Sequence, residues 1–237
     1  MNINYHPHYM SAMNEHREKM SAVVTGCTSG LGRSLFNKFS AEGWSVTGCG
    51  RRIQLLESLK EDKNADASTV PCDIRLENHV LNLRSVIRAK PGYIDALVLN
   101  AGTIGQLPLP AFDQINLMEL RRLFESNVFA NFNVVQKLLP LMNAKGIIVH
   151  ITSDASRTPY AGWSGYGASK AAFNQAINVL DVELAKAGVR ALNIDPGDMD
   201  TEMHRLAIPD ADVSQLKHPD TAATDVYKLI CEQLTAR

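Results

Sequence analysis

The chain has 237 residues, of which 45% are hydrophobic and 21% charged, and its 24 Lys and Arg against 25 Asp and Glu leave a net charge of -1. The apolar content excludes a disordered chain, the length suits one α/β domain, and the balanced charge leaves no electrostatic footprint for nucleic acid. No apolar window approaches the ~18 residues of a membrane span, and the N-terminus lacks a secretory apolar stretch, so a soluble, cytoplasmic protein without a membrane partner is expected. Cys27, Cys49, Cys72 and Cys231 are too scattered for a disulfide framework and are expected as free thiols. The seven histidines form no H-E-x-x-H or Cys/His set, so no metal site is expected.

In chain order, residues 1–19 show neither helical nor strand periodicity and read as an extension outside a single domain over 20–237. From Met20 onward, short β-rich runs alternate with segments of helical period, the pattern of repeated βα units on a parallel sheet. Strands are expected at Met20–Thr25, Ser45–Cys49, Thr69–Cys72, Ala96–Leu99, Ile147–Thr152 and Arg190–Ile194. Helices are expected at 31–42, 52–62, 76–89, 115–142, 164–187 and 219–235. Pro71 cannot donate to a central ladder, which puts the third strand at an edge and fits a doubly wound order of 3-2-1-4-5-6. His150, inside the apolar run Ile147–Ile151, reads as a satisfied core histidine.

The first strand runs into Thr25-Gly26-Cys27-Thr28-Ser29-Gly30-Leu31-Gly32. Glycine permits a tight turn and close backbone approach, and the following helix N-terminus offers free N–H groups to a pyrophosphate. Gly26, Thr28, Ser29, Gly30, Leu31 and Gly32 are therefore candidate cofactor contacts, the alternative being a turn that only turns. About twenty residues on, where an NAD site would carry Asp or Glu, the chain offers Arg51 and Arg52. Two cations at a helix N-terminus oppose its dipole, which makes physical sense if a 2′-phosphate sits there. NADP(H) is thus favoured over NAD(H), against the alternative of a solvated arginine pair. Tyr166 and Lys170, four apart, project from one helix face, where an ammonium would lower the tyrosine pKa toward the working range of a general acid. Ser153, at the end of the fifth strand, is placed to bond the same substrate oxygen.

Taken together, these residues resemble the short-chain dehydrogenase/reductase family, from Met20 to about Thr201. The resemblance implies a Rossmann-type fold with helices on both faces. It makes Asp73 and Ile74 an adenine contact, Asn100-Ala101-Gly102 the motif ending the fourth strand, and Pro196, Gly197 and Thr201 the nicotinamide-side loop. It also implies that Asn127, Ser153, Tyr166 and Lys170 form a catalytic tetrad. Tyr166 would be the acid or base, Ser153 would orient the carbonyl, Lys170 would act on Tyr166 and the ribose, and Asn127 would support a water relay. Read singly, Asp73 could cap a helix, Asn100 could serve a turn, and Asn127 could be a polar helix position. The chain departs from the family in ending after a helix, with the seventh strand missing.

The implied activity is an NADP(H)-dependent interconversion of a carbonyl and an alcohol on a small molecule; a non-catalytic dinucleotide-binding regulator is the alternative. Ile104, Leu107, Ala155, Trp163, Met199 and Met203 form a mostly apolar candidate substrate lining, with Asp154 and His204 as polar exceptions. Pro159–Ser164 resembles the stretch found in sepiapterin reductase-like and benzil reductase-like members, pointing to diketones or pterin side-chain ketones. The segment 202–218 is short for a substrate lid. Surplus apolar residues on helices 115–142 and 164–187, namely Phe129, Phe132, Val135, Ala171, Phe173, Ile177 and Leu180, suggest a two-fold homodimer through a second helix face.

Overall fold

Six short runs rich in Val, Ile and Leu form one parallel sheet, in a computed structural model that describes residues 19–61, 66–90 and 92–236. The extension expected at 1–19 lies, but for Lys19, outside the described residues. The strands are β1 Ser21–Thr25, β2 Ser45–Gly50, β3 Ala67–Pro71, β4 Ile94–Leu99, β5 Met142–Ile151 and β6 Arg190–Ile194, in spatial order 3-2-1-4-5-6. Around them lie α1 Gly30–Ala41, α2 Ile53–Glu61, α3 Glu77–Ala89, α4 Leu117–Phe124, α5 Ala130–Leu138, α6 Ser164–Leu184, α7 Glu202–Ala207 and α8 Pro219–Thr235. This is the doubly wound Rossmann-type arrangement expected from the alternating pattern. Pro71 pairs with Gly50 on the edge strand, where its missing N–H costs the ladder nothing.

Every residue of β4 is buried because the sheet is covered on both sides. Alternation divides them. Leu97 and Leu99 join Leu83 of α3, Val134 of α5 and Phe173 of α6 in one core. Val98 joins Phe36 and Phe39 of α1 and Val226 of α8 in the other. Phe39, Trp44 and Tyr227 meet edge to face at 4.9–6.1 Å, which seats the C-terminal α8 against α1.

The single helix expected over 115–142 is instead a chain of pieces. Asn116 caps α4, its side chain accepting from Met118 N at 2.8 Å. A π turn at Glu125–Phe129 then inserts extra backbone before α5, and a 3-10 turn at Leu139–Leu141, holding Pro140, ends the run. β5 starts at Met142, five residues before the expected Ile147, with a register irregularity between Ile94 and Ala96. An apolar stripe with a constant mean period hides such an inserted residue. Of the apolar residues expected to exceed one core-facing stripe on the two long helices, Phe173, Ile177 and Val135 belong to the core. Phe129 and Phe132 do face solvent, now beside Val179 and Val182 as the exposed apolar residues of α6.

Candidate active site

The carboxyl ends of the strands carry the polar and glycine-rich turns, and two contacts lock them together. Thr25 Oγ1 donates to Val98 O at 3.3 Å and accepts from Asn100 N and Ala101 N at 3.0 Å each. Asn100 Nδ2 donates back to Thr25 O at 3.0 Å and Gly26 O at 3.2 Å. The turn after β1 is thereby tied to the turn after β4. A Cβ on Gly32 would lie 2.2 Å from Gly26 O and 2.3 Å from Asn100 Nδ2, so the first turn of α1 can press on this loop only as glycine. Ser29, the N-cap of α1, is extended and makes no side-chain cap bond, which leaves the amino end of the helix open to an anion.

A cleft of about 810 Å³ opens along these ends. Gly26, Thr28, Ser29, Gly30, Leu31, Gly32, Arg51, Arg52, Asp73, Ile74, Asn100, Ala101 and Gly102 all line it, as do Pro196, Gly197 and Thr201. Its volume, its open helix end and its glycine cradle fit a dinucleotide. Arg52 reaches across the loop, Nε donating to Thr28 Oγ1 at 3.2 Å and Nη2 to Ser29 Oγ, with Glu202 3.6 Å from Nη1. Arg51 is exposed beside it. Asp73 does not cap α3; its carboxylate takes a two-pronged bond from Arg75, which holds its pKa below the usual range.

Tyr166 and Lys170 lie at the middle of the cleft, 9% and 7% exposed. Lys170 Nζ donates to Ile151 O at 2.7 Å and stands 5.8 Å from the centre of the Tyr166 ring. Burial pushes the lysine down to about 8, against the pull of Asp195. The tyrosine is driven the opposite way from expectation, up to about 12, first by burial and then by the charges of Asp195 and Asp154. Desolvation of the phenolate outweighs an ammonium that is turned toward a carbonyl. Tyr166 therefore keeps its proton at neutral pH.

Ser153 Oγ donates to Asp154 Oδ1 at 3.0 Å and accepts from Ala155 N at 3.2 Å. Tyr160 OH donates to the other carboxylate oxygen at 2.6 Å. Asn127 is 1% exposed and is not part of the cleft wall. Its Nδ2 donates to Thr103 O at 2.9 Å and Ser169 Oγ at 3.0 Å, while Oδ1 accepts from Thr103 N at 2.8 Å. The π turn thus aims Asn127 between the loop after β4 and α6, where it braces both. His150 is satisfied at only one ring nitrogen; Nε2 has no partner among the described residues.

On the substrate side Asp154, Trp163, Met199, Met203, Ile104 and His204 line the cleft, whereas Leu107 and Ala155 do not. Asp195, Asp198 and Leu206 do so without having been expected. Asp195 flanks Pro196 directly, and its Oδ1 accepts from Gly197 N at 3.0 Å, a turn signal readable from Asp-Pro-Gly. Leu206 sits on α7, within the segment expected to be short for a substrate lid; Thr201 caps it by accepting from His204 N at 3.2 Å. Among the described residues no group of three or more His, Cys, Asp or Glu could hold a metal, all four cysteines are free, and no helix is long and apolar enough to cross a membrane.

Residues 20–211 match the short chain dehydrogenase family model. The chain is 35% identical over 184 residues to serine 3-dehydrogenase of Rhizobium radiobacter, covering 76% of this chain and 72% of that one. It is 34% identical over 193 residues to the (S)-benzoin-forming benzil reductase of Saccharomyces cerevisiae, covering 77% and 73%. The crystal structure of the KRED1-Pglu enzyme superposes with a TM-score of 0.82 at 30% identity, covering 90% of this chain and 95% of that one.

The buried lysine gives a pH signature in the absence of any ligand. Its folded pKa, near 8, lies below the ordinary value of 10.5, so folding at neutral pH carries a charging cost that lifts as pH rises through 8. Denaturant melts should show the wild type gaining stability between pH 8 and 10 relative to Lys170→Met, by on the order of 2–3 kcal/mol. Parallel stability curves for the two proteins would contradict a desolvated ammonium at this position.

Proposed function

The chain belongs to the short-chain dehydrogenase/reductase family, which makes it an oxidoreductase of carbonyl and alcohol groups, and on that premise we propose that it works with NADP(H) and uses Tyr166 as its general acid and base. The observation that carries this reading is that the glycine loop after β1, the arginines after β2 and the Ser153, Tyr166 and Lys170 side chains all open into one cleft. A regulator that only binds a dinucleotide has no chemical need for the last three.

A bound nicotinamide supplies the hydride. The protein's own part is to hold a carbonyl carbon against it and manage one proton. Tyr166, protonated at neutral pH, gives its proton to the oxygen as charge develops there, and takes one back in the oxidative direction. The nearby ammonium of Lys170 stabilises the phenolate left behind. Ser153 accepts from the hydroxyl of the alcohol form and donates to a carbonyl oxygen only on leaving Asp154, while Asn127 keeps the β4 loop and α6 in register.

Asp154 sets the substrate class within this reading. Its carboxylate occupies the hydroxyl proton of Ser153, so Ser153 presents a lone pair to the cleft. A small substrate with a hydroxyl or amino group near the reacting carbon suits that pair, with Trp163, Met199 and Met203 packing on its apolar part. The apolar side of the wall favours a second reading, reduction of a hydrophobic diketone.

For assembly we propose a two-fold homodimer through α5 and α6. Phe129, Phe132, Val179 and Val182 are 42–77% exposed there, an apolar patch that a partner would cover. Light scattering at micromolar concentration should give a dimer that Phe129→Glu dissociates, and a monomeric wild type would refute it.

Tyr166→Phe should lower turnover at least about 10²-fold while NADPH affinity stays within about twofold, because only the proton donor is removed. A variant retaining a tenth of wild-type kcat would exclude Tyr166 as the acid. Arg51→Asp should turn attraction for the 2′-phosphate into repulsion and shift preference from NADPH toward NADH, most strongly at low salt. Equal use of both cofactors by the wild type would remove the NADP assignment. NADPH oxidation across hydroxyketones, amino ketones and diketones would then separate the two substrate readings.

A further inference from the structure

Beneath Lys170 lies a titratable side chain that the proposed reaction leaves without a task. His150 on β5 is 1% exposed, and its ring stands edge-on to Phe173 of α6 with centroids 4.9 Å apart. Nδ1 lies 3.2 Å from Asn174 Oδ1 and 3.0 Å from Asn193 Oδ1. Both amide nitrogens are engaged elsewhere: Asn174 Nδ2 donates to Ser156 Oγ, and Asn193 Nδ2 donates to Asn174 O and Asn178 Oδ1. The two oxygens facing the ring can only accept, so Nδ1 carries the proton. Burial and the Lys170 charge keep the ring neutral, with a pKa down to about 3. Nε2 is therefore a bare acceptor.

That acceptor has no partner among the described residues, and neither does Asn131 Oδ1. Asn131 is 1% exposed on α5, and its Nδ2 donates to Asn127 O at 3.0 Å, so its unpaired atom is an acceptor as well. Nδ1 of the histidine is anchored on the β6 side, where His150 pairs with Asn193 in the sheet, so Nε2 faces away from β6. Two acceptors cannot satisfy one another; they need a donor. Lys170 is the cation at hand. It spends one N–H on the carbonyl of Ile151, the residue after His150 on β5, acts on the His150 ring through its charge, and approaches Gly102 as Asn127 does, its Nζ and Asn127 Oδ1 lying 3.8 and 3.2 Å from a Cβ built there.

We propose that His150 is a positioning residue for Lys170: a water that accepts one N–H of the ammonium donates its two hydrogens to His150 Nε2 and Asn131 Oδ1. The count closes, since every atom of the group is then paired and the water makes three bonds. Two of the three ammonium protons are fixed on the deep side, and the third is left to face Tyr166 and the cleft. The additional acceptors also stabilise the charged form of a lysine that burial alone would neutralise. The inference rests on the reading of Tyr166 and Lys170 as the working pair. The other titratable groups around Lys170 are Tyr166 on its own helix and Asp195 after β6, with Asp154 after β5 acting on Tyr166. The His150 ring faces Lys170, Phe173 and the amides of Asn174 and Asn193.

The test is the titration of Lys170, read by NMR at its side-chain carbon next to Nζ in the ligand-free protein. His150→Asn keeps a donor on the Nδ1 side and deletes Nε2; it should lower the Lys170 midpoint by about one pH unit. His150→Gln, which reaches the Nε2 position with an acceptor, should restore most of it. Asn131→Leu, acting from another helix, should lower the midpoint in the same direction. A merely structural role would reduce melting temperature and leave the midpoint where it was. Unchanged midpoints in both His150→Asn and Asn131→Leu overturn the proposal, and should His150→Asn fail to fold, Asn131→Leu with His150→Gln decides it. The readout needs no substrate, so active Tyr166→Phe would sink the proposed function while leaving this result to stand or fall separately.

Discussion

A lysine ammonium buried against the carbonyl of Ile151 is costly to maintain, and the carboxyl end of the sheet is organised around it. Among the described residues no carboxylate lies in salt-bridge contact with Nζ, and Asp195 acts only at longer range. The lysine is instead kept in place by a strand end and by the helix that carries it. Such an arrangement holds a cation that is close to releasing its proton, next to a phenol that burial keeps from losing its own. The two desolvation effects have opposite signs. Together they reverse the usual order of the two pKa values, leaving Tyr166 the more reluctant of the pair to lose its proton.

The parallel sheet makes this possible because all six strands release their turns on one edge. Thr25 and Asn100 join the first and fourth of those turns by side-chain bonds to backbone. Asn127 joins the fourth turn to α6, and Asp195 shapes the turn after β6. All but the last of these bonds span segments far apart in sequence, and together they tie down the cleft where a pyrophosphate and a nicotinamide would lie. The cleft wall on α7 is built differently, from exposed apolar residues such as Met203 and Leu206, and is held mainly by the Thr201 cap and the Asp200–Arg205 pair.

What the sequence discloses follows the same division. The six strands, their order and the cluster of cleft residues are legible because period, glycine spacing and strand-end position act locally and repeat. Pro71 alone indicates the edge strand. The break in the 115–142 segment escapes notice, since a π turn shifts the helix by one residue without interrupting its apolar stripe. The upward shift of Tyr166 is equally hidden: a Tyr and a Lys four apart announce their proximity, but only burial decides whether the ammonium or the desolvation prevails. Asn127 reads only as a polar position within a long helix, and periodicity does not disclose that its side chain bonds Thr103 and Ser169. His150, plain in sequence, becomes notable only once the amides around it reveal which nitrogen is left bare.

A crystal structure with NADPH bound decides whether one strand-end cleft holds both the dinucleotide and the Tyr166–Lys170 pair. The pyrophosphate should lie at the amino end of α1 against Gly30–Gly32, the 2′-phosphate on Arg51 and Arg52, and the nicotinamide ring should face Tyr166 and Ser153. A dinucleotide bound elsewhere, or in this cleft with its nicotinamide turned away from Tyr166, would contradict this placement.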